Sequence, residues 1–177
     1  MCIRDSGSTW QKDVELIKPI IGSDLFEKYI IVPHNVDEAS IKSITSFLDI
    51  VILRYSELKN QSSTQSNVLI VDTIGLLASA YSFGTIAYVG GGFSKSLHNI
   101  LEPAVFGLPV TFGPIYSRFP EAQAFIDSGI GFSVKETDEL SHTIESIKMQ
   151  IDEIQRKSHQ FIESNKGASQ KILAYLS

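Results

Sequence analysis

The residues best suited to chemistry lie in one short stretch. Gly90-Gly91-Gly92-Phe93 is followed by His98-Asn99-Ile100-Leu101-Glu102, then by Gly107-Leu108-Pro109 and Gly113-Pro114. Glycines let a phosphate or sugar come close to the main chain, and the N–H groups at a helix start favour an anion by about 0.3–2 kcal/mol. Gly91 and Gly92 are therefore candidate donor contacts, with His98 beside them either lining the site or capping the helix. A tight turn would use the same glycines, and residue type alone does not separate the two uses. Asn99 is a good N-cap type, and Glu102 three residues later fits a capping box. A carboxylate in that first turn, ahead of Pro103, could also accept two hydrogen bonds from a ribose diol. The joined pattern G-G-G-F-x5-N-x-x-E-x4-G-x-P-V-x-x-G-P is far more specific than any of its parts. It is neither the dinucleotide fingerprint nor a phosphate-binding Walker loop.

Other polar residues carry weaker signals. His34, at the end of an apolar run, suits a phosphate or base contact or a solvated loop. Ser8 and Thr9 could donate to a phosphate or a sugar carboxylate, or simply cap their loop. His142 and His159 fall on a charged tail and read as surface groups. No histidines and carboxylates stand at metal-ligand spacing.

These residues need a scaffold, and the sequence supplies a regular one. Short apolar runs at Tyr29–Val32, 51–54, 68–71, 85–89, 109–112 and 131–134 read as strands. Their lack of alternation is the mark of strands buried on both faces. Helical runs at 37–48, 75–81, 99–106 and 119–128 alternate with them. The pattern predicts a single α/β domain, a Rossmann-like parallel sheet. Residues 59–67 read as a polar loop.

The C-terminal helices, from about residue 136, differ in character: thirteen charged residues lie from Lys135 onward. Leu140, Ile144, Ile147, Ile151 and Ile154 share one helical face, which suits packing on the sheet better than a short coiled coil. At the other end, Gly7-Ser8-Thr9 looks like a loop that should follow a strand, yet residues 1–6 carry Arg4 and Asp5. The first strand is read as truncated, and residues 1–6 as foreign to the natural protein or disordered, leaving 7–177 as the domain.

Length and composition bound the function. A chain of 177 residues suits one domain with a good core. A net charge of −5 offers no support for nucleic-acid or polybasic membrane binding. Cys2 is the single cysteine, which excludes an internal disulfide framework and a Cys-rich zinc site, and fits a reducing compartment. The 22 residues between Asp72 and Lys95 carry no formal charge, but their glycines fit helix, turn and strand better than a membrane span.

The runs Ala87-Tyr88-Val89-Gly90-Gly91-Gly92-Phe93, His98-Asn99-Ile100-Leu101-Glu102-Pro103-Ala104, Phe106-Gly107-Leu108-Pro109-Val110 and Phe112-Gly113-Pro114 closely resemble the 3-deoxy-D-manno-octulosonic acid (Kdo) transferases of lipopolysaccharide assembly. Gly7-Ser8-Thr9, Val32-Pro33-His34 and Asp72-Thr73-Ile74-Gly75 fall in that family's order. The resemblance covers the chain from Gly7 onward but only the C-terminal half of the family's two-domain protein.

The resemblance implies a GT-B glycosyltransferase that inverts at the sugar, with CMP-Kdo as donor substrate and no cofactor or metal. It implies a lipid A precursor as acceptor and work at the cytoplasmic face of the bacterial inner membrane. Both acceptor and membrane would be reached through an N-terminal domain absent here. CMP would be gripped by Pro33-His34, by Ile74-Gly75-Leu76 and by Asn99-Ile100-Leu101-Glu102. Two of these depart from the family pattern: His34 stands where an arginine is common, and Leu76 where a glutamate is usual. The family's catalytic base, a glutamate, belongs to the N-terminal domain, so no catalytic residue is expected in this chain. Rival readings are a UDP-sugar-dependent GT-B transferase or epimerase, and a non-catalytic nucleotide-binding module.

Overall fold

The computed structural model describes residues 2–4, 11–33, 35–60, 66–93, 97–167 and 175. Seven strands are found among them: β1 (Cys2–Arg4), β2 (Tyr29–Val32), β3 (Ile52–Arg54), β4 (Val68–Ile70), β5 (Ala87–Val89), β6 (Val110–Phe112) and β7 (Gly131–Ser133). They form one sheet in the order β3-β4-β2-β1-β5-β6-β7, with every pairing parallel. Strands β5 and β6 are buried along their whole length: β5 is apolar throughout, and in β6 the buried Thr111 hydroxyl donates to the Ala87 carbonyl at 3.1 Å. The chain leaves β1 to one side for β2 and returns to its other side at β5. That reversal opens a crevice at the carboxyl ends of β1 and β5, where parallel α/β sheets bind ligands.

The expected gap before Gly7 is filled. Cys2–Arg4 pairs with both β2 and β5 and is the central strand. Ladder hydrogen bonds join main-chain groups, so a segment carrying Arg4 can serve where an apolar one was expected.

Helices α1 (Gln11–Ile21), α2 (Glu38–Leu48), α3 (Leu77–Tyr81), α4 (Leu101–Val105), α5 (Pro120–Asp127), α6 (Thr137–Met149) and α7 (Ile151–Asn165) cover the sheet. Asp37 caps α2 by accepting from the Ser40 N–H at 2.9 Å. Helix α4 ends in a Schellman motif: the Leu108 N–H reaches the Pro103 carbonyl at 3.2 Å and the Gly107 N–H the Ala104 carbonyl at 2.9 Å. Gly107 closes it with φ at +76°, and the His159 ring occupies the space a side chain would need.

The charged tail is part of this domain and starts no coiled coil. It breaks at Gln150 into α6, which packs on α1, and α7, which packs on α4. Leu140, Ile144, Ile147 and Ile154 are buried, and Phe125 meets Phe161 edge-on at 5.1 Å. Among the described residues no helix is long and apolar enough to cross a membrane. The uncharged stretch after Asp72 is α3, a turn and β5.

Candidate functional site

The predicted donor residues gather at the carboxyl edge of the sheet. Pro33 follows β2, Ile74-Gly75-Leu76 follows β4 and leads into α3, and the glycines follow β5 and lead toward α4. Helices α3 and α4 pack together, with the Tyr81 and Phe106 rings at their C-terminal ends 6.3 Å apart. Ser8, Thr9 and His34 lie outside the described residues.

The glycine loop is pinned from three sides. The Gly90 carbonyl accepts the His98 N–H at 3.3 Å, and the Gly92 carbonyl accepts the Ile115 N–H at 2.7 Å. The Gly91 N–H donates to the Asp13 carboxylate at 3.2 Å. Gly91 has φ at +85°, a left-handed conformation that glycine takes without strain. A side chain on Gly92 would start 2.5 Å from the Gly113 nitrogen, and one on Gly113 would start 2.5 Å from the Gly92 carbonyl carbon. The glycines of G-G-G and of Gly113-Pro114 thus have a structural reason: two backbones touch where no Cβ fits. Gly91, a candidate donor contact, turns its N–H inward to Asp13.

The start of α4 differs in detail from the expected Asn99–Phe106 helix. The helix runs only from Leu101 to Val105, with Ile100 in the cap position. Asn99, one residue ahead of that position, still satisfies a helix-start donor, because its Oδ1 accepts the Leu101 N–H at 3.0 Å. Pro103 brings no N–H, so a short helix with one donor engaged is a weaker anion cradle than an eight-residue helix would be. Glu102 is half-buried, and its Oε1 accepts from Asn99 Nδ2 at 3.1 Å. A carboxylate offers about four acceptor positions. The Asn99 bond holds the Glu102 carboxylate in the first turn of α4. Ile100 is buried and Leu101 is exposed at the same edge. His98 is half-buried beside the loop.

Ile74-Gly75-Leu76 is held by a network that the sequence reading passed over. The Asp72 carboxylate accepts from Arg54 Nε at 2.9 Å, the Ser56 N–H at 2.9 Å and the Ser56 hydroxyl at 2.6 Å. Arg54 also makes a two-pronged bond to Glu38 at 3.0 and 2.9 Å. Burial alone would push the Asp72 carboxyl up, but the Ser56 and Arg54 hydrogen bonds outweigh it and hold the group below its ordinary value. The Glu38 bonds first, then Asp72, raise the Arg54 guanidinium further. Beyond this anchor Ile74 is 84% exposed, and Gly75, at φ +88°, has nothing within 4 Å of where a Cβ would lie. Unlike Gly92, Gly75 faces open space that a ligand could fill.

Asp13 was also missed. It lies in the first turn of α1 and is 2% exposed, with its two oxygens bound to the Tyr88 hydroxyl at 2.6 Å and to Gly91. Burial raises its carboxyl above the ordinary value, against the lowering effect of both donors. A signal was present: Asp13, Leu16, Ile17 and Ile20 share the spacing of one helical face, and a carboxylate on an apolar stripe is an anomaly. Among the described residues no three His, Cys, Asp or Glu side chains are grouped to hold a metal.

No family model matches the chain. In sequence it is 34% identical over 143 residues to the 3-deoxy-D-manno-octulosonic acid transferase of Aquifex aeolicus, covering 76% of this chain and 38% of that protein. It is 31% identical over 147 residues to a bifunctional glycosyltransferase/methyltransferase of Fusobacterium nucleatum, covering 81% of this chain and 23% of that one. The chain thus spans well under half the length of these curated relatives. In structure it resembles the C-terminal CMP-Kdo binding domain of WaaA from Acinetobacter baumannii, with a TM-score of 0.75 over 91% of this chain and 87% of that domain at 22% identity.

Proposed function

We propose that this chain, a relative of the Kdo transferases with the fold of a C-terminal CMP-Kdo binding domain, is the donor-binding half of a transferase that moves Kdo from CMP-Kdo to a lipid A precursor. The observation that carries this reading is the Asn99–Glu102 start of α4, which presents an oriented, half-buried carboxylate beside the glycine loop at the sheet's switch point.

Glu102 would take the ribose hydroxyls, Gly75 would admit the nucleotide to the main chain, and Ile74, Leu76 and Leu101 would border it. Pro33, His34, Ser8, Thr9 and His98 complete the proposed donor contacts. The bond from the Kdo anomeric carbon to the donor phosphate would break as an acceptor hydroxyl attacks from the opposite face. CMP leaves with the bonding electrons, and the hydroxyl proton goes to a base in a separate acceptor domain. This half fixes the leaving group, which is catalysis by positioning. No cofactor or metal is assigned, and the site of action is the cytoplasmic face of the inner membrane, reached through the acceptor-binding domain.

The test is thermal protection of this chain by free nucleotides. CMP should raise the melting temperature at concentrations where UDP does not, whereas preferential protection by UDP would favour a UDP-sugar enzyme. Turnover of CMP-Kdo and acceptor by this chain alone would overturn the division of labour between the halves.

A further inference from the structure

A carboxylate is a costly way to fill a buried position between a helix and a sheet. An apolar side chain of similar size is often equal or better for stability, and a buried charge held by neutral donors carries a desolvation penalty. Asp13 is nevertheless 2% exposed and makes two bonds to elements distant in sequence. Its Oδ1 takes the hydroxyl of Tyr88, a fully buried residue of β5, and its Oδ2 takes the N–H of Gly91 just beyond that strand's end. The Gly91 peptide is thereby fixed to the first turn of α1 on the far side of the switch point. The neighbouring Gly90 carbonyl accepts the His98 N–H, so the same peptide run sets where the chain re-enters toward Asn99.

We propose that Asp13 is a positioning residue: through Gly91 it holds the loop from β5 so that Asn99 and Glu102 are presented at the crevice. It touches no donor atom itself. As a statement about nucleotide affinity this rests on the donor-site reading above. As a statement about the loop it stands on the geometry alone.

Two variants of the whole chain separate positioning from packing. Asp13→Leu fills the site but accepts no hydrogen bond. Asp13→Asn can accept from Gly91 through Oδ1 and donate to the Tyr88 oxygen through Nδ2, since a phenol both donates and accepts. Residue-resolved amide exchange and CMP titration are read on each. Asp13→Leu should speed exchange at Gly91 and His98 by about tenfold or more relative to Val110 in β6, and weaken CMP by about tenfold. Asp13→Asn should restore both. Unchanged exchange and affinity in Asp13→Leu, or equal loosening of Val110 and the loop, overturns the proposal. A wild-type chain that binds no CMP defeats the donor reading, and the exchange arm then decides the role of Asp13 by itself. Should Asp13→Leu not fold, the wild type is still informative. Its Gly91 amide proton and Asp13 carboxyl carbon should shift with one common pH midpoint, and separate midpoints overturn the coupling.

Discussion

At Gly92 and Gly113 the two backbones lie closer than any Cβ allows, with 2.5 Å from an added carbon to main-chain atoms in either direction. Main chain cannot swing aside as a side chain can, so Gly92→Ala should destabilise by about 1–3 kcal/mol, the range for overpacking. A lowered melting temperature in a thermal scan checks it, and a wild-type value contradicts it. Gly75→Ala meets no neighbour, so its cost should be only the left-handed strain of about 1–2 kcal/mol. The Asp72 network adds a pH dependence with a definite sign. Because its folded carboxyl is held below the ordinary 3.8, its contribution is present above that value and lost as the pH falls through the folded one. Arg54→Met removes one of the donors that hold it there. Chemical denaturation at pH 3 and pH 7 should show a smaller stability difference in Arg54→Met than in wild type, with about 1.5–3 kcal/mol lost at pH 7. An unchanged difference would mean the guanidinium does not hold the carboxylate.

Among the elements, the C-terminal helices give the clearest check of packing. Ile147 on α6 is fully buried, so Ile147→Ala should cost about 2–5 kcal/mol by denaturant melt. A cost under 1 kcal/mol would suit an exposed, separate helix. The strands from Tyr29 to Ser133 were legible because runs such as Tyr29-Ile30-Ile31-Val32 and Ala87-Tyr88-Val89 are apolar on both faces, a pattern with few other uses. Helix ends were less legible. Asn99 does bond the first turn of α4 through the Leu101 N–H, yet the helix begins at Leu101, one residue later than an N-cap at Asn99 implies. The first strand was illegible for a different reason: a three-residue segment paired on both sides draws its hold from main-chain bonds, which leave no trace in side-chain type. Asp13 and Arg54 escaped because each acts through partners 16 or more residues away, Tyr88 and Gly91 for the one, Glu38 and Asp72 for the other. Only a fold brings such pairs together.

For the molecule as a whole, one sheet with a single reversal at β1 and β5 collects segments from 70 residues of chain onto one edge, from Pro33 to Glu102. The glycine run has a structural part as a joint, with the Gly91 N–H turned to Asp13 and Gly92 set against Gly113, while Gly75 faces open space. The central claim, that this edge grips a cytidine nucleotide through Glu102, is tested most directly by calorimetric titration of CMP into the wild-type chain and Glu102→Ala. The account predicts measurable CMP binding by the wild type and a loss of about tenfold to a hundredfold in the variant, the size of one or two hydrogen bonds to a charged group. Equal affinity in the two proteins would contradict it.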